Sequence, residues 1–476
     1  MLGRTRHIHF VGVGGSGMSG IAELLANLGY IVTGSDEKWS ATTDRLASLG
    51  VTVTIGHDAA HLGEADVVVT SSAVRQTNPE VVEAHRRAIP VIPRAEMLAE
   101  LMRLRYAVAV AGAHGKTTTT SMIALALERA GLDPTAVIGG RLSAFGSNAR
   151  LGSSELMVAE ADESDRSFLK LFPTIAVITN IDYEHLENYG GFDDLTQAFV
   201  DFANKVPFYG AVVCCADDVH LCGLTERMTR RVITYGMSAT ADITASDVTI
   251  APMSVTATVK RRVHGASPGD GLVTLGRLEL RVPGHHNLLN ALAAVAVGTE
   301  LGVPFEQLAP GLNEFKGAER RFEVRGEPHG VLVVDDYGHH PTEIAAVLDA
   351  ARALKRRIVV AFQPHRYSRT QALMDAFGPS LAGADHVVLT DIYAAGETPI
   401  PGVTLAALAA RVQAQLTVPV DAVPALADVA PALARVARPG DVIITLGAGS
   451  ISVVPEQLIG LLERLAWPAA PARSEA

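Results

Sequence analysis

Nine consecutive residues carry the strongest chemical signal in the chain: Gly112-Ala-His-Gly-Lys-Thr-Thr-Thr-Thr120. An apolar run from Tyr106 to Ala111 precedes them and reads as a buried parallel strand. Ser121 to Ala130 follows and reads as an amphipathic helix. Strand, glycine loop, lysine, hydroxyl and helix together describe a phosphate cradle. Glycines let the backbone curl until several N–H groups and the positive end of the helix converge on one anion, and Lys116 adds a full charge beside it. Thr117 is placed to put its hydroxyl on a Mg2+ shared with the phosphates. The longer GxxxxGK(S/T) pattern wants glycine at position 110, where this chain has Val110, so the loop is the shorter GxxGKT kind.

Other residues with chemical capacity also sit at the ends of strand-like runs. Leu156-Met-Val-Ala-Glu-Ala-Asp-Glu-Ser-Asp165 is an apolar strand that runs into carboxylates, and Glu160 is best placed to meet a Mg2+ held by Thr117. Thr174 to Thr179 reads as a further strand, followed by Asn180-Ile-Asp-Tyr-Glu-His185; His185 is either a ligand, since ligands collect at such ends, or a structural histidine. Near the N-terminus, strand His7 to Val11, Gly12-Val-Gly-Gly-Ser-Gly17, a helix from Met18 to Leu28 and strand Tyr30 to Thr33 form a βαβ unit. It closes on Gly34-Ser-Asp36, which puts an acid about twenty residues after the glycines. That pattern suits a nicotinamide dinucleotide, and equally any other pyrophosphate ligand, a UDP-sugar included. Ser71, after a strand from Val67 to Thr70, faces the same crevice or caps a turn. Asn287 and Asn290 share one face at the start of an apolar helix, where amides cap the helix or read a base edge. Arg366 and Arg369 follow a strand from Arg356 to Phe362 and have the spacing to grip a carboxylate.

The elements that position these groups fall into three α/β stretches. At 476 residues the length suggests about three domains, and 48% hydrophobic residues is ordinary globular composition. Their expected limits are 1–104, 105–318 and 319–476, with Lys316 to Phe322 breaking the apolar pattern at the second boundary. In the middle stretch, Ile243 to Val259 and Leu272 to Val282 suggest a peripheral antiparallel pair. A net charge of −11 argues against a general nucleic-acid binder. No apolar run reaches the roughly 18 residues of a membrane helix and the N-terminus lacks signal-peptide order, so the expectation is a cytoplasmic protein away from the membrane. Cys214, Cys215 and Cys222 lack paired CxxC spacing and read as reduced core thiols rather than a metal cluster. The last ten residues, Trp467 to Ala476, read as a frayed tail.

Taken together, Gly12 to Met18, Gly112 to Thr120, Glu160 to Asp165, Pro283 to Asn290, Arg320 to Phe322, Asp335 to Glu343 and Gln363 to Thr370 resemble the Mur ligase family, in family order along nearly the whole chain. The closest resemblance is to the branch that adds L-alanine to UDP-N-acetylmuramate in peptidoglycan synthesis. It implies an N-terminal Rossmann-like UDP-binding domain, a central P-loop ATPase domain with a mostly parallel sheet plus a small antiparallel sheet, and a mobile C-terminal Rossmann-like domain. It also implies ATP and Mg2+ as cofactors, and a monomer or weak homodimer.

Carried over position by position, the resemblance implies that Gly12, Gly14, Gly15, Ser16, Gly17, Met18, Asp36 and Ser71 hold the UDP-sugar. Lys116 and the loop Gly112, Ala113, His114, Gly115, Thr117 and Thr118 hold the ATP phosphates. Thr117, Glu160 and His185 are the implied metal ligands, and Asn287 and Asn290 face adenine. Arg321 meets the γ-phosphate, Asp336 the ribose, and Tyr337, His339, Arg366 and Arg369 surround L-alanine and the forming bond. The general base is left open between His339 and phosphate. Ala113 stands where the family usually has Thr, and Lys205, the only lysine between Phe199 and Tyr209, is left outside the site although related ligases use a carbamylated lysine. Glu163-Ser-Asp-Arg-Ser-Phe-Leu-Lys170 favours the alanine branch over relatives that attach a whole tripeptide. An NAD-dependent oxidoreductase would leave the cradle at Gly112 to Thr120 idle.

Overall fold

The computed structural model describes residues 2–71, 73–142, 147–263 and 271–465. The chain divides into two compact units, one built mostly from residues up to Glu319 and the other mostly from Arg320 onward. Two sheets lie in the first unit and one in the second.

The first sheet is wholly parallel, in the order Thr52–Ile55, Ile31–Asp36, His7–Val11, Val67–Thr70, Val91–Pro93. Chain order reverses on either side of His7–Val11, which opens a crevice at the carboxyl ends of that strand and of Val67–Thr70. Phe10 pairs with Val69 and Thr70 with Pro93, so Gly12, Ser71 and Arg94 all leave the sheet at this edge. The helix after the glycines runs Ser16–Asn27, two residues earlier than its apolar pattern suggests, with Gly15 as its N-cap.

The second sheet has ten strands, in the order Leu272–Leu280, Ser254–Arg262, Ile243–Ala251, Val232–Tyr235, Ala211–Cys215, Ile175–Ile178, Tyr106–Ala111, Leu156–Glu160, Thr135–Leu142, Ser147–Arg150. Its central strands are parallel and buried along all but their end residues, which is why they read as continuous apolar runs. The strands expected as a peripheral pair continue this same sheet. The first expected strand is broken by a turn at Pro252 and Met253, because proline has no N–H to give to a ladder.

The helix after the cradle runs Lys116–Arg129 and is buried without a break from Thr118 to Leu127, so it is a core helix rather than the expected amphipathic one. Its outer side is covered by helix Phe305–Glu314, where Gly311 comes so close that a Cβ would lie 2.6 Å from the Ala126 Cα. Cys214 and Cys215 are buried thiols in strand Ala211–Cys215, while Cys222 is exposed.

The third sheet is ordered Glu323–Gly326, Leu332–Asp336, Val442–Leu446, Ile358–Phe362, His386–Leu389, Val420–Ala422, and only its first strand is antiparallel to its neighbour. Strand periodicity splits its core in two. Leu332, Val334, Val360, Phe362, Val387, Ile444 and Leu446 face helices Pro341–Arg352 and Leu405–Gln415. Val333, Val359, Ala361, Val388 and Ile443 face helices Val429–Val436 and Val454–Leu462. No helix among the described residues is long and apolar enough to cross a membrane.

Candidate active site

The cradle is shaped by the strand next to it. Strand Ile175–Ile178 runs parallel to Tyr106–Ala111, and its exit residues Thr179 and Asn180 pin the loop. The Thr179 hydroxyl donates to the His114 carbonyl at 2.6 Å, the Asn180 side-chain amide donates to the same carbonyl at 3.0 Å, and the His114 N–H donates to Asn180 Oδ1 at 2.8 Å. Gly112 sits at φ 132°, and a Cβ there would collide with the Thr179 hydroxyl, so only glycine fits. The His114 ring lies 2.9 Å from Asp182 Oδ2, and Ala113 contributes a backbone N–H bonded to the Asn180 carbonyl.

Lys116 is the first residue of the helix and folds back over the loop. Its Nζ donates to the Gly112 carbonyl at 2.6 Å, the Ala113 carbonyl at 3.1 Å and Glu163 Oε1 at 2.8 Å. Burial alone would push the ammonium down, but the carboxylates of Glu163, Asp162 and Glu160 outweigh it and raise the pKa, so Lys116 is firmly charged. Glu163 is 2% exposed, and its Oε2 makes no hydrogen bond. Burial pushes Glu163 up to about 7 against the pull of Lys116. The Tyr189 hydroxyl donates to the Glu163 carbonyl, which anchors the segment.

Thr117 and Glu160 are brought together. The Thr117 hydroxyl donates to Glu160 Oε2 at 2.9 Å, and the Gly139 N–H donates to the same oxygen at 2.8 Å. His185 has a left-handed backbone at φ 58° and its ring lies 3.7 Å from Glu184 Oε1. Asn290 is buried against the cradle helix: its Oδ1 accepts from the Thr119 hydroxyl at 3.0 Å and its amide donates to Asn287 Oδ1 at 3.3 Å. Thr118 is buried in the same helix.

At the first sheet, Asp36 binds the glycine loop itself. The Gly14 N–H donates to Asp36 Oδ2 at 2.8 Å. Gly12 and Val13 donate to the Ser35 carbonyl, and Gly15, Gly17 and Met18 lead into the helix. The side chain of Ser16 lies outside the described residues; Ser71 is half-buried at the end of its strand.

In the second unit, Arg321 and Asp336 are close. Both Asp336 oxygens accept backbone N–H groups, from Phe322 and Gly338, each at 2.7 Å. Burial raises Asp336 to about 6 despite Arg321. Tyr337 lies under two guanidiniums, Arg320 at 5.3 Å and Arg321 at 5.2 Å from its ring. Glu343 ties these groups to the next loop, accepting from Arg321 Nη1 at 3.3 Å and from the His339 N–H at 3.1 Å. The His339 and His365 rings are 5.6 Å apart, His365 stacks on Tyr393 at 5.4 Å, and Arg369 Nη1 is 3.2 Å from His365 Nδ1. Arg366, at φ 71°, donates its N–H to the Tyr393 carbonyl and places its Nε 4.0 Å from Glu397.

Sequence pattern alone assigned no role to Glu163, Thr179, Asn180, Glu343, His365, Tyr393 or Glu397. Position at a strand exit could have found Thr179 and Asn180. His365 lies inside the same short segment as the two arginines, but Tyr393 and Glu397 come from a separate loop. Lys205 lies with its Nζ 4.8 Å from the ring of Phe172, a residue just before strand Ile175–Ile178.

The arrangement is thus a glycine loop with a lysine, a hydroxyl and carboxylates in one unit, and an arginine, histidine and tyrosine cluster at strand ends in the other. The Mur ligase family's catalytic-domain model matches residues 7–106, its middle-domain model residues 110–298, and its glutamate ligase domain model residues 320–449. A UDP-N-acetylmuramate–L-alanine ligase of Syntrophotalea carbinolica is 53% identical over 98% of this chain and all of its own length. Its counterpart in Anaeromyxobacter dehalogenans is 54% identical over 97% of this chain and 99% of its own. Among solved structures, the UDP-N-acetylmuramate-alanine ligase of Thermotoga maritima superposes with a TM-score of 0.79 at 29% identity, covering 96% of this chain and 99% of that one. A murein peptide ligase of Psychrobacter arcticus follows with a TM-score of 0.70 at 25% identity, covering 97% and 100%. Fold, cradle and full-length likeness agree, and the chain belongs to the Mur ligase family.

Proposed function

We propose that the chain joins L-alanine to the lactyl carboxylate of UDP-N-acetylmuramate at the expense of ATP, in the cytoplasmic synthesis of peptidoglycan precursor. The observation that carries the reading is the Lys116, Thr117 and Glu160 constellation on a pinned glycine loop, in a chain over half identical to named alanine ligases along its whole length. The division of labour follows the limits 1–104 for the UDP-sugar, 105–318 for ATP and 319–476 for the amino acid. The chain works as a monomer or weak homodimer.

A carboxylate is a poor acyl donor, so the reaction first activates it. A lactyl oxygen attacks the γ-phosphorus of ATP, the bond to the bridging oxygen breaks, and ADP leaves an acyl phosphate behind. Two anions must meet in this step, and the charges of Lys116 and Arg321 oppose their repulsion. The neutral amine of L-alanine then attacks the carbonyl carbon, and the tetrahedral intermediate expels inorganic phosphate. Arg366 and Arg369 hold the alanine carboxylate, with Tyr337 and His339 around the forming bond. Gly12, Gly14, Gly15, Gly17 and Ser71 seat the UDP end, and Asn287 and Asn290 border the adenine. Asp336 offers the ribose only those lone pairs that its two backbone partners leave over.

The residues present fit Mg2+: the Thr117 hydroxyl and the Glu160 carboxylate, hard oxygen donors, already touch at 2.9 Å, and His185 is the further ligand. When bound, the ion supplies positive charge to the phosphates.

The test is phosphate release from ATP and Mg2+ with UDP-N-acetylmuramate and L-alanine each supplied and withheld, with mass spectrometry of the sugar nucleotide. Release that needs both, with one alanyl residue gained, is the expected result. Turnover with a tripeptide alone would assign the chain to the tripeptide-adding relatives instead.

A further inference from the structure

Arg94 stands between the two anion seats of the first unit and belongs to neither motif. It is the first residue of helix Arg94–Met102, directly after strand Val91–Pro93. The pairing of Thr70 with Pro93 brings it out of the sheet beside Ser71, at the edge that carries the glycine loop. Its guanidinium lies against the first turn of helix Ser16–Asn27: a Cβ at Gly17 would come within 2.8 Å of Nη1 and 3.1 Å of Cζ. The last glycine of the GxGxxG pattern thus leaves room for the Arg94 guanidinium, which any larger residue at position 17 would displace.

On its other side Arg94 Nη2 is 3.5 Å from Asp162 Oδ2, in the carboxylate cluster that keeps Lys116 charged. That ion pair is long, and none of the guanidinium's five N–H donors makes a hydrogen bond among the described residues. The side chain is only 21% exposed. A largely covered guanidinium with unused donors, laid on the positive end of a helix, has the charge and geometry to receive an anion there.

We infer that Arg94 receives the diphosphate of the UDP-sugar, and so aims the sugar from the glycine loop toward Lys116. The inference rests on the reading of the first sheet as the UDP-sugar seat. Arg94 is then a binding residue of that substrate, and its link to Asp162 joins the two seats.

Calorimetric titration of the full-length protein with UDP and with uridine separates the cases, run on wild type, Arg94→Ala and Arg94→Lys beside the KM for ATP. Loss of a charge-assisted contact to phosphate is expected to weaken UDP binding about tenfold or more in Arg94→Ala. Uridine affinity and the KM for ATP are expected to stay within about twofold, and Arg94→Lys to recover part of the loss. Unchanged UDP affinity in Arg94→Ala would overturn the inference, as would equal weakening of UDP, uridine and ATP, which marks a merely structural residue. If the wild type binds neither UDP nor UDP-N-acetylmuramate, the seat itself is misread, independently of Arg94.

Discussion

Lys116 is held by two carbonyls and a buried carboxylate, so its charge is set by the protein before any phosphate arrives. Lys116→Ala is expected to lower turnover on the order of 10²-fold or more, while UDP-sugar affinity changes little. Steady-state kinetics beside a UDP-sugar titration checks this, and equal loss in both would contradict the separation of seats. Arg366 has a left-handed backbone, stands beside Glu397 and is one turn from Arg369. A lysine keeps the charge but cannot offer two parallel N–H groups to a carboxylate. Arg366→Lys is therefore expected to raise the KM for L-alanine about tenfold or more, with the KM for ATP unchanged; an unaltered alanine KM would place the arginine outside the site. These residue types were legible from their spacing. Their partners were not: Asp36 looks like a ligand acid by its place after the glycines, yet it closes on the Gly14 N–H.

At the level of elements, the cradle depends on a strand that follows it by some sixty residues, since Thr179 and Asn180 bond to His114 at separations of 65 and 66. Gly112→Ala must move that strand exit or abandon the loop conformation, a cost of about 1–3 kcal/mol. Loss of nucleotide binding is expected together with a lower melting temperature, measured by ADP titration and thermal unfolding. Glu80 plays a comparable part in the first sheet. It is fully buried on helix Pro79–Arg86, and its oxygens meet the Ser35 hydroxyl at 2.6 Å and the rings of His61, His57 and His9 at 3.0, 3.5 and 3.6 Å. Burial pushes its carboxyl up, but hydrogen bonds from His9, Ser35 and His61 and the charge of His9 win, and the pKa falls to about 2. A carboxylate depressed in the folded state stabilises above its unfolded pKa, about 4.5, and that contribution is lost as pH falls toward 2. Glu80→Gln is thus expected to be less stable at pH 7 and to lose less stability than wild type between about pH 5 and pH 3, by denaturant titration at each pH. Parallel slopes for the two proteins would show that Glu80 is not the group responsible.

For the whole molecule, two compact units, each with buried apolar clusters of its own, make a single unfolding transition a poor expectation. A ligand stabilises only what it binds, so ADP at about a hundred times its Kd is expected to stabilise the unit that carries the cradle by about 2.7 kcal/mol. Scanning calorimetry with and without ADP checks this, and Lys116→Ala is expected to remove most of the shift. The broad organisation was legible at this scale. Three α/β stretches, glycine loops and carboxylates at strand ends all follow from hydrophobic periodicity and from residues that only certain turns accept. Less legible was the extent of burial: the cradle helix looks amphipathic in sequence, yet Thr118 to Leu127 is covered on every side. A run of threonines carries no mark of the helix that packs over it.

By itself the sequence determined the glycine loop, the lysine and hydroxyl that follow it, and the family, because these rest on local backbone needs that a short stretch of residues either meets or does not. The tertiary structure alone decided which polar groups are already engaged. Asn290 meets Thr119 across 171 residues, His365 pairs with Tyr393 from another loop, and Arg94 leans on Gly17 and Asp162 from two separate elements. Such partners are chosen by how distant segments pack, and packing sums many weak contacts that no single stretch of chain contains.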